Sequence, residues 1–505
     1  MWLFEPLTCE QTVPGDRRWL HLSPDGLALS EAGKVAGDTS YALADYGAIS
    51  EVLLRGGRRA SLRLAFADHR NPWVVRGVPR PHAEWALHTI SGYRKLTRWA
   101  LSEEAKAPLT FDKIAARVNM YADDMPLLGN LLIAQAIAHA ASDMDLEPTG
   151  DAYALRYRVD GAVFSVAGMP RTAAERLLRM LKNQANLQAH RSDITQEGRI
   201  RLAAQTGPVD LRVTIMPGIA GEKVNVRLLN PATQLFGLDE LGMSGPQVAR
   251  METLLSAPTG AVVLCGPGGA GKTTTIYAAL TYLAGLGPGR AISSIEDPVE
   301  FDLEGVSQTQ VGHGLDFAKA LAVLLRQDPG VVMVGEIRDP ETAQIAMRAG
   351  MTGQLLLTTM HASGPELVIP RLFDLAVEPY MISSALAAIV SQRLLRKVCE
   401  SCAATCTPSA EELAAAGITS EMAAGATFKT GKGCPACHET GYKGRIGIFD
   451  LTAIDEDTAN LIMARNMAAL RMKLTSDGLR AAAFEKVKAG VTDIAEVIRV
   501  LGVRQ

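Results

Sequence analysis

The stretch AVVLCGPGGAGKTT, residues 261–274, decides the fold. Ala261 to Cys265 is a short apolar run of the kind that forms a buried strand. Gly266-Pro267-Gly268-Gly269-Ala270-Gly271-Lys272-Thr273 follows at once and fits G-x-x-x-x-G-K-[ST]. Glycines let a backbone curl until several amide N–H groups face one anion. A helix that starts at the loop adds the partial positive charge of its N-terminus. Lys272 can then reach the outer phosphates of a nucleoside triphosphate. The Thr273 hydroxyl can ligate Mg²⁺, and Thr274 closes the phosphate-binding stretch. Strand, loop and helix in that order distinguish this reading from a plain Gly-rich turn.

Working outward, strands and helices alternate. A helix runs from Thr273 to Leu286, a strand covers Ala291–Ile295, and a helix runs from Phe317 to Gln327. A strand at Val331–Val334, a helix from Glu341 to Ala349 and a strand at Gln354–Thr359 follow. Such alternation with continuous apolar strands argues for a parallel sheet covered on both faces. Its ligand belongs at the carboxyl ends of the strands. Acids stand at two of those ends: Glu296-Asp297-Pro298-Val299-Glu300, and Gly335-Glu336. Phosphoryl transfer to water needs a carboxylate to orient the water, and positive charge to stabilise the leaving oxygens. Glu296 and Glu336 are the candidates, with Glu300 as the alternative to Glu296. His361, just past the strand that ends at Thr359, is placed to sense the terminal phosphate; a structural role is its alternative.

The 505 residues exceed one ordinary core, so three or four compact units are expected. An apolar content of 48% with 21% charge is that of a soluble globular chain. The net charge of −3 gives no global attraction to nucleic acid or anionic membrane, so no nucleic-acid partner is expected. No leader is visible in MWLFEPLTCEQ, and apolar stretches such as Leu127 to Ala141 are too short to cross a membrane. A cytoplasmic protein that meets a membrane through other proteins is the expectation.

Of seven cysteines, four form two Cys-x-x-Cys pairs, Cys399/Cys402 and Cys434/Cys437. In a reducing compartment that pattern means metal before disulfide, and four thiolates suit tetrahedral Zn²⁺. The run between the pairs is longer than in a short zinc ribbon, and a redox role is the alternative. Cys406 is a spare, and Cys265, inside a strand, reads as core.

Residues 1–120 hold all five tryptophans and read as a separate domain of mixed α and β, with scattered tryptophans as core fillers and a strand-like run at Ala60 to Phe66. A helix with an apolar stripe begins near Met125, capped by Asp123 or Asp124, and ends near Ser142-Asp143. Tyr153 to Val159 and Ala162 to Val166 alternate around Asp160-Gly161, a strong hairpin signal. A helix from Thr172 to Leu187 follows, then strands at Gly198 to Ala203, Val209 to Ile215 and Glu222 to Leu229. This order suggests an α+β domain. The tail is rich in Ala, Leu and Met at helical spacing.

Together these blocks resemble the secretion ATPase superfamily, the motors of type II secretion and type IV pilus assembly, over about residues 125–505. Besides the phosphate loop, the resemblance rests on Ile295-Glu296-Asp297-Pro298-Val299-Glu300-Phe301 and on Leu325-Arg326-Gln327-Asp328-Pro329 with Gly335-Glu336-Ile337-Arg338-Asp339. It also rests on Thr352-Gly353-Gln354 through His361, and on Gly433-Cys434-Pro435-Ala436-Cys437 with Thr440 to Gly447. The resemblance implies an α/β fold: a RecA-like P-loop domain (240–395), a preceding α+β, PAS-like domain (121–232), a tetracysteine zinc insert (396–446) and a helical C-terminal region (447–505). It implies a homohexameric ATPase of the extending type, using ATP, Mg²⁺ and Zn²⁺, which acts on an inner-membrane platform protein from the cytoplasmic face. It implies that Arg199, Arg212 and Arg227 reach the phosphates, as guanidinium suits phosphate oxygens. The chain departs from the pattern at Gln354 and Asp145, where His is usual, and at Gly330, where an acid commonly follows Asp-Pro. The other class of function is a DNA-handling or regulatory nucleotide switch, which steeply salt-dependent DNA binding would mark.

Overall fold

The computed structural model describes residues 11–13, 18–23, 26–31, 42–44, 49–56, 58–66, 73–87, 89–90, 108–204, 207–229, 236–287, 289–312, 314–423 and 426–503. The chain divides into two compact units, Met1–Ala232 and Thr233–Gln505.

In the second unit the alternation read from the sequence becomes a seven-stranded sheet. Across it the strands run Ser307–Gln310, Ile292–Glu296, Val331–Val334, Leu355–Met360, Gly260–Cys265, Leu386–Val398 and Tyr442–Ala453. All neighbours are parallel except the last pair. The strands around the centre are buried along their whole length, which is why they read as unbroken apolar runs. Their side chains still alternate. Ala261, Val263 and Cys265 enter one core with Leu321, Ala343 and Met347. Val262 and Leu264 enter the other with Ile276, Leu280 and Leu283.

Helices Lys272–Gly285 and Pro340–Met351 lie within a residue or two of their expected bounds. The helix expected over Phe317 to Gln327 is α-helical only to Leu324, then closes as a 3-10 turn. Asp316 and Asp339 cap the starts of the last two, accepting from the Lys319 and Thr342 amides at 2.8 Å. Three strands escaped the sequence reading, Ser307–Gln310, Leu386–Val398 and Tyr442–Ala453, and all belong to the main sheet. Residues 447–453 are therefore strand, and the helices of the tail begin at Glu456.

The tail is fastened by a buried ion cluster. Glu496 is fully buried in helix Ile494–Leu501. It accepts from Arg396 Nη2 at 2.7 Å, from the Arg396 amide at 2.9 Å, and from Arg499 at 2.6 and 2.7 Å. Asp493 caps the same helix and accepts from Tyr442 and Thr430.

In the first unit, residues 108–229 form a six-stranded antiparallel sheet. Its order is Ala162–Pro170, Ala152–Val159, Ala141–Thr149, Gly221–Leu229, Gly207–Gly218, Gln196–Ala204. Helices Met125–Ala138 and Arg171–Gln184 contribute to its core. Asp124, rather than Asp123, caps the first helix. The expected hairpin turns at Asp160 (φ 49°) and Gly161 (φ 82°). One expectation fails: the first helix ends at Ala138, and Ala141–Thr149 is a strand, not helix followed by loop. Ala140, at φ 52°, breaks the helix. The strand alternates buried Met144 and Leu146 with outward Asp145 and Glu147, acids that depress strand propensity.

Towards the N-terminus, strands Ile49–Gly56, Arg59–Phe66 and Trp73–Pro79 form a second sheet, followed by a helix over residues 80–87. Trp73 is core, edge-on to Phe66 at 5.0 Å. Trp85 is 39% exposed and so is no core filler. Trp2, Trp99 and Cys9 lie outside the described residues.

Burial pushes the Glu496 carboxyl up, but the hydrogen bonds from Arg499 and Arg396 outweigh it and hold it below the usual carboxylate range. A lowered folded pKa stabilises above the unfolded value, about 4.3, and is lost as pH falls through the folded value. Glu496→Ala is therefore expected to cost about 3–5 kcal/mol at pH 7. The gap to wild type should narrow below about pH 4, as read by thermal unfolding at both pH values.

Candidate functional site

The loop leaves the sheet at Gly266 and closes at Gly271, which takes φ 88° as the N-cap of helix Lys272–Gly285. Gly269 is also left-handed, at φ 74°. A Cβ on Gly271 would lie 2.8 Å from Gln392 Nε2, and one on Gly266 2.7 Å from the Gln392 carbonyl. A Cβ on Gly268 would meet nothing. The outer two glycines are thus demanded by the strand behind the loop.

Lys272 is buried and donates to the Gly266 and Pro267 carbonyls at 2.8 and 3.0 Å. Burial lowers its pKa, with the Glu336 charge opposing. Thr273 is exposed and Thr274 half-buried. The buried Thr275, which the sequence reading passed over, donates to Gln392 Oε1 at 2.9 Å.

Glu336 follows the strand end at Val334 and is largely buried. It pairs with Arg338, and His361 Nε2 lies 3.6 Å from its other oxygen. Burial, then the Lys272 charge, lowers the His361 pKa, and Glu336 opposes the shift. His361 is therefore mainly neutral at pH 7. The fold thus gathers Lys272, Glu336 and His361, which are far apart in sequence.

Glu296 ends its strand and is 3% exposed. Tyr277 and Ser294 donate to its two oxygens, and Gln308 Nε2 donates at 3.0 Å. Burial, then the Glu296 charge, raises the Tyr277 pKa. The Tyr277 hydroxyl also accepts from the Glu300 amide at 3.2 Å, so one phenol links both candidate carboxylate positions. Sequence reasoning missed Tyr277. Its signal was a lone polar-tipped aromatic on the apolar face of the loop helix.

The three departures from the family pattern have physical correlates. Gln354 sits before the strand Leu355–Met360, and its carbonyl accepts from Gly260 at 3.2 Å. That is the end of the sheet opposite the loop, about 20 Å away at ~3.3 Å per residue. A Cβ on Gly330 would lie 2.9 Å from the Arg290 Cβ, and Arg290 ties down carbonyls of residues 255–257. Asp145 accepts from Asn225 at 3.0 Å.

In the first unit, strand register sets Arg199 beside Arg212, Arg212 beside Arg227, and Arg227 beside Asp143, which also faces Arg158. Each arginine has a carboxylate: Arg199 donates to Asp210 at 2.6 Å, Arg212 to Glu197, and Arg227 to Asp143 at 3.1 Å.

The four cysteines expected to hold metal converge. Sγ···Sγ distances are 3.9 Å for Cys399–Cys434, 3.8 Å for Cys402–Cys437 and 3.7 Å for Cys434–Cys437, and all four sulfurs lie within 4.8 Å of one another. A tetrahedral ion with bonds of about 2.3 Å sets its sulfurs about 3.8 Å apart, so the group could hold zinc. The long run between the pairs is closed by a hairpin, Ala403–Cys406 against Phe428–Gly431. Burial pushes the Cys437 thiol up, but the Cys434 and Gly441 amides, each 3.2 Å from its sulfur, bring it down to about 7. Cys406 packs against the neighbouring core, and Cys265 is fully buried, raised by burial to about 11.

A model of the family described as "Type II/IV secretion system protein" matches residues 122–499. The chain is 39% identical to type II secretion system protein E of Pseudomonas aeruginosa over 390 residues, 75% of this chain and 76% of that one. It is 35% identical to the type IV pilus assembly ATPase PilB of Thermus thermophilus, over 84% of this chain and 47% of that protein. Among solved structures it resembles the ATPase DotB of Legionella pneumophila. There the TM-score is 0.54 at 18% identity, over 74% of this chain and 94% of that one, a likeness of fold.

Tyr277→Phe removes one donor from a buried carboxylate. It is expected to cost about 1–3 kcal/mol in urea unfolding, with little change in the denaturant slope.

Proposed function

Because the chain belongs to the type II/IV secretion system protein family, we propose that it is a Mg²⁺-dependent ATP hydrolase that powers pilus assembly or protein secretion. The observation that carries this reading is the gathering of Lys272, Glu336 and His361 at the carboxyl ends of the parallel strands, beside a glycine-bent loop that opens a helix. In this reading Lys272 leaves the Gly266 and Pro267 carbonyls for the outer phosphates, and Thr273 and Glu336 support Mg²⁺. His361, neutral, hydrogen-bonds the terminal phosphate. Glu296, or Glu300 on the same loop, orients the water; Glu296 does so by exchanging the Tyr277 hydroxyl for it. Arg199, Arg212 and Arg227 exchange their carboxylates for phosphate oxygens, completing the charge around the leaving group.

The finer parts belong to the same proposal. The sheet of residues 141–229 with its helices is a PAS-like domain, and the helices after Glu456 form a cap on the ATPase domain. Six copies form a ring, cytoplasmic and held at the inner membrane through a platform protein. No helix of the described residues is long and apolar enough to cross a membrane. The four cysteines hold one Zn²⁺.

ATP turnover by wild type, Lys272→Ala and Glu296→Gln is the test. Each variant is expected to lose at least about a hundredfold in kcat, and unchanged hydrolysis in both would reject the site. Metal analysis of freshly purified, reduced protein should find one zinc per chain. Cys437→Ser should lose it and unfold at a lower temperature.

A further inference from the structure

The strand that braces the phosphate loop carries a residue that the site description leaves unused. Register sets Cys265 opposite Ser391, so Gly266 and Gln392 meet where the loop leaves the sheet. Gln392 is buried and turned to the loop helix, where it holds Thr275. Arg393, next along the strand, turns to the other face, as period-two alternation requires. Its Nη1 donates to the Gln392 carbonyl at 2.8 Å, and its Nη2 donates to the Ser363 carbonyl. The same Nη1 lies 3.4 Å from the place a Cβ on Gly266 would occupy. Ser363 stands two residues past His361, on the segment that leaves strand Leu355–Met360. One guanidinium therefore joins the strand behind the phosphate loop, at Gln392, to the segment that carries the phosphate-sensing candidate.

The charge on this guanidinium is answered in an unusual way. Two backbone carbonyls accept from Arg393, the Glu366 charge acts on it without a direct ion pair, and no ion pair among the described residues includes it. A half-buried cation held this way is costly unless an anion comes near, and the adjacent loop is built to receive one. A lysine at 393 would keep the charge but lose the planar fork that reaches two carbonyls at once.

We propose that Arg393 is a positioning residue for ATP hydrolysis. Its guanidinium fixes the spacing between the phosphate loop and the segment bearing His361, so that the two respond to the terminal phosphate as one body. The inference rests on the function proposed above, and deepens it by adding a residue that touches neither nucleotide nor water.

The test is a double-mutant cycle on the full chain. ATP turnover, and equilibrium affinity for ATP and for ADP, are measured for wild type, Arg393→Lys, His361→Ala and the double variant. Arg393→Lys is expected to lower kcat by about ten- to a hundredfold, the cost of an ångström-scale misplacement, while ADP affinity stays within about twofold. The double variant should be no slower than the slower single, because both changes act through one element. Multiplicative losses in kcat, or equal weakening of ATP and ADP with kcat kept, would overturn the bridge. If circular dichroism shows that Arg393→Lys does not fold, Arg393→Gln takes its place with the same expectations. A wild type without ATP turnover would reject the function itself, whereas an active wild type with independent variants rejects the bridge alone.

Discussion

Backbone amides that point at one spot form a concentration of like partial charge, and they stay there only if something holds them from behind. Here that support is the edge where Gly266 meets Gln392. The Gln392 carbonyl leaves no room for a side chain at 266, and its amide leaves none at 271. Through Thr275 the same glutamine grips the first turn of the loop helix. The helix start, the loop curvature and the position of Lys272 all follow from that one edge. The glycines in the motif are thus required twice, once for conformation and once for clearance.

The bracing strand has a second consequence. Leu386–Val398 is 13 residues long, or about 43 Å at ~3.3 Å per residue. It passes from Ser391 beside the loop strand, through Gln392 and Arg393, to Arg396 in the ion cluster of Glu496, and ends directly before Cys399. Phosphate loop, C-terminal helix and cysteine group are thus threaded on one rigid element. The cysteine group is itself closely built: a Cβ on Gly431 would lie 2.0 Å from the Gly441 carbonyl, and Gly441 takes φ 80°. Two backbones pass there without side chains, which lets the two Cys-x-x-Cys turns face each other.

Charge is organised differently in the two units. On the first, arginines stand side by side across neighbouring strands, an arrangement that would destabilise the sheet if left alone. Asp143, Asp210 and Glu197 offset it. In the second unit the charges at the strand ends are fewer and more buried. Glu296 accepts from three neighbours. Arg393 donates to two backbone carbonyls.

Much of this was legible in the chain itself. Periodicity located the central strands and helices within a few residues, because a strand buried on both faces must be apolar throughout. The loop motif named its own ligand class, and the paired cysteines marked a group that could hold a metal ion. Local pattern failed where a strand carries outward acids, as at Ala141–Thr149, and where strands join the sheet late, as at Leu386–Val398 and Tyr442–Ala453. Their membership depends on a partner more than a hundred residues away or on the far side of an insert. The sequence by itself determined which chemical groups exist and the period on which each would lie. Only the tertiary structure decided who faces whom: Tyr277 on Glu296, His361 on Glu336, Gln392 under the loop, Gln354 at the wrong end of its strand. Spacing along a chain sets a side chain's direction, whereas register between strands sets its neighbour.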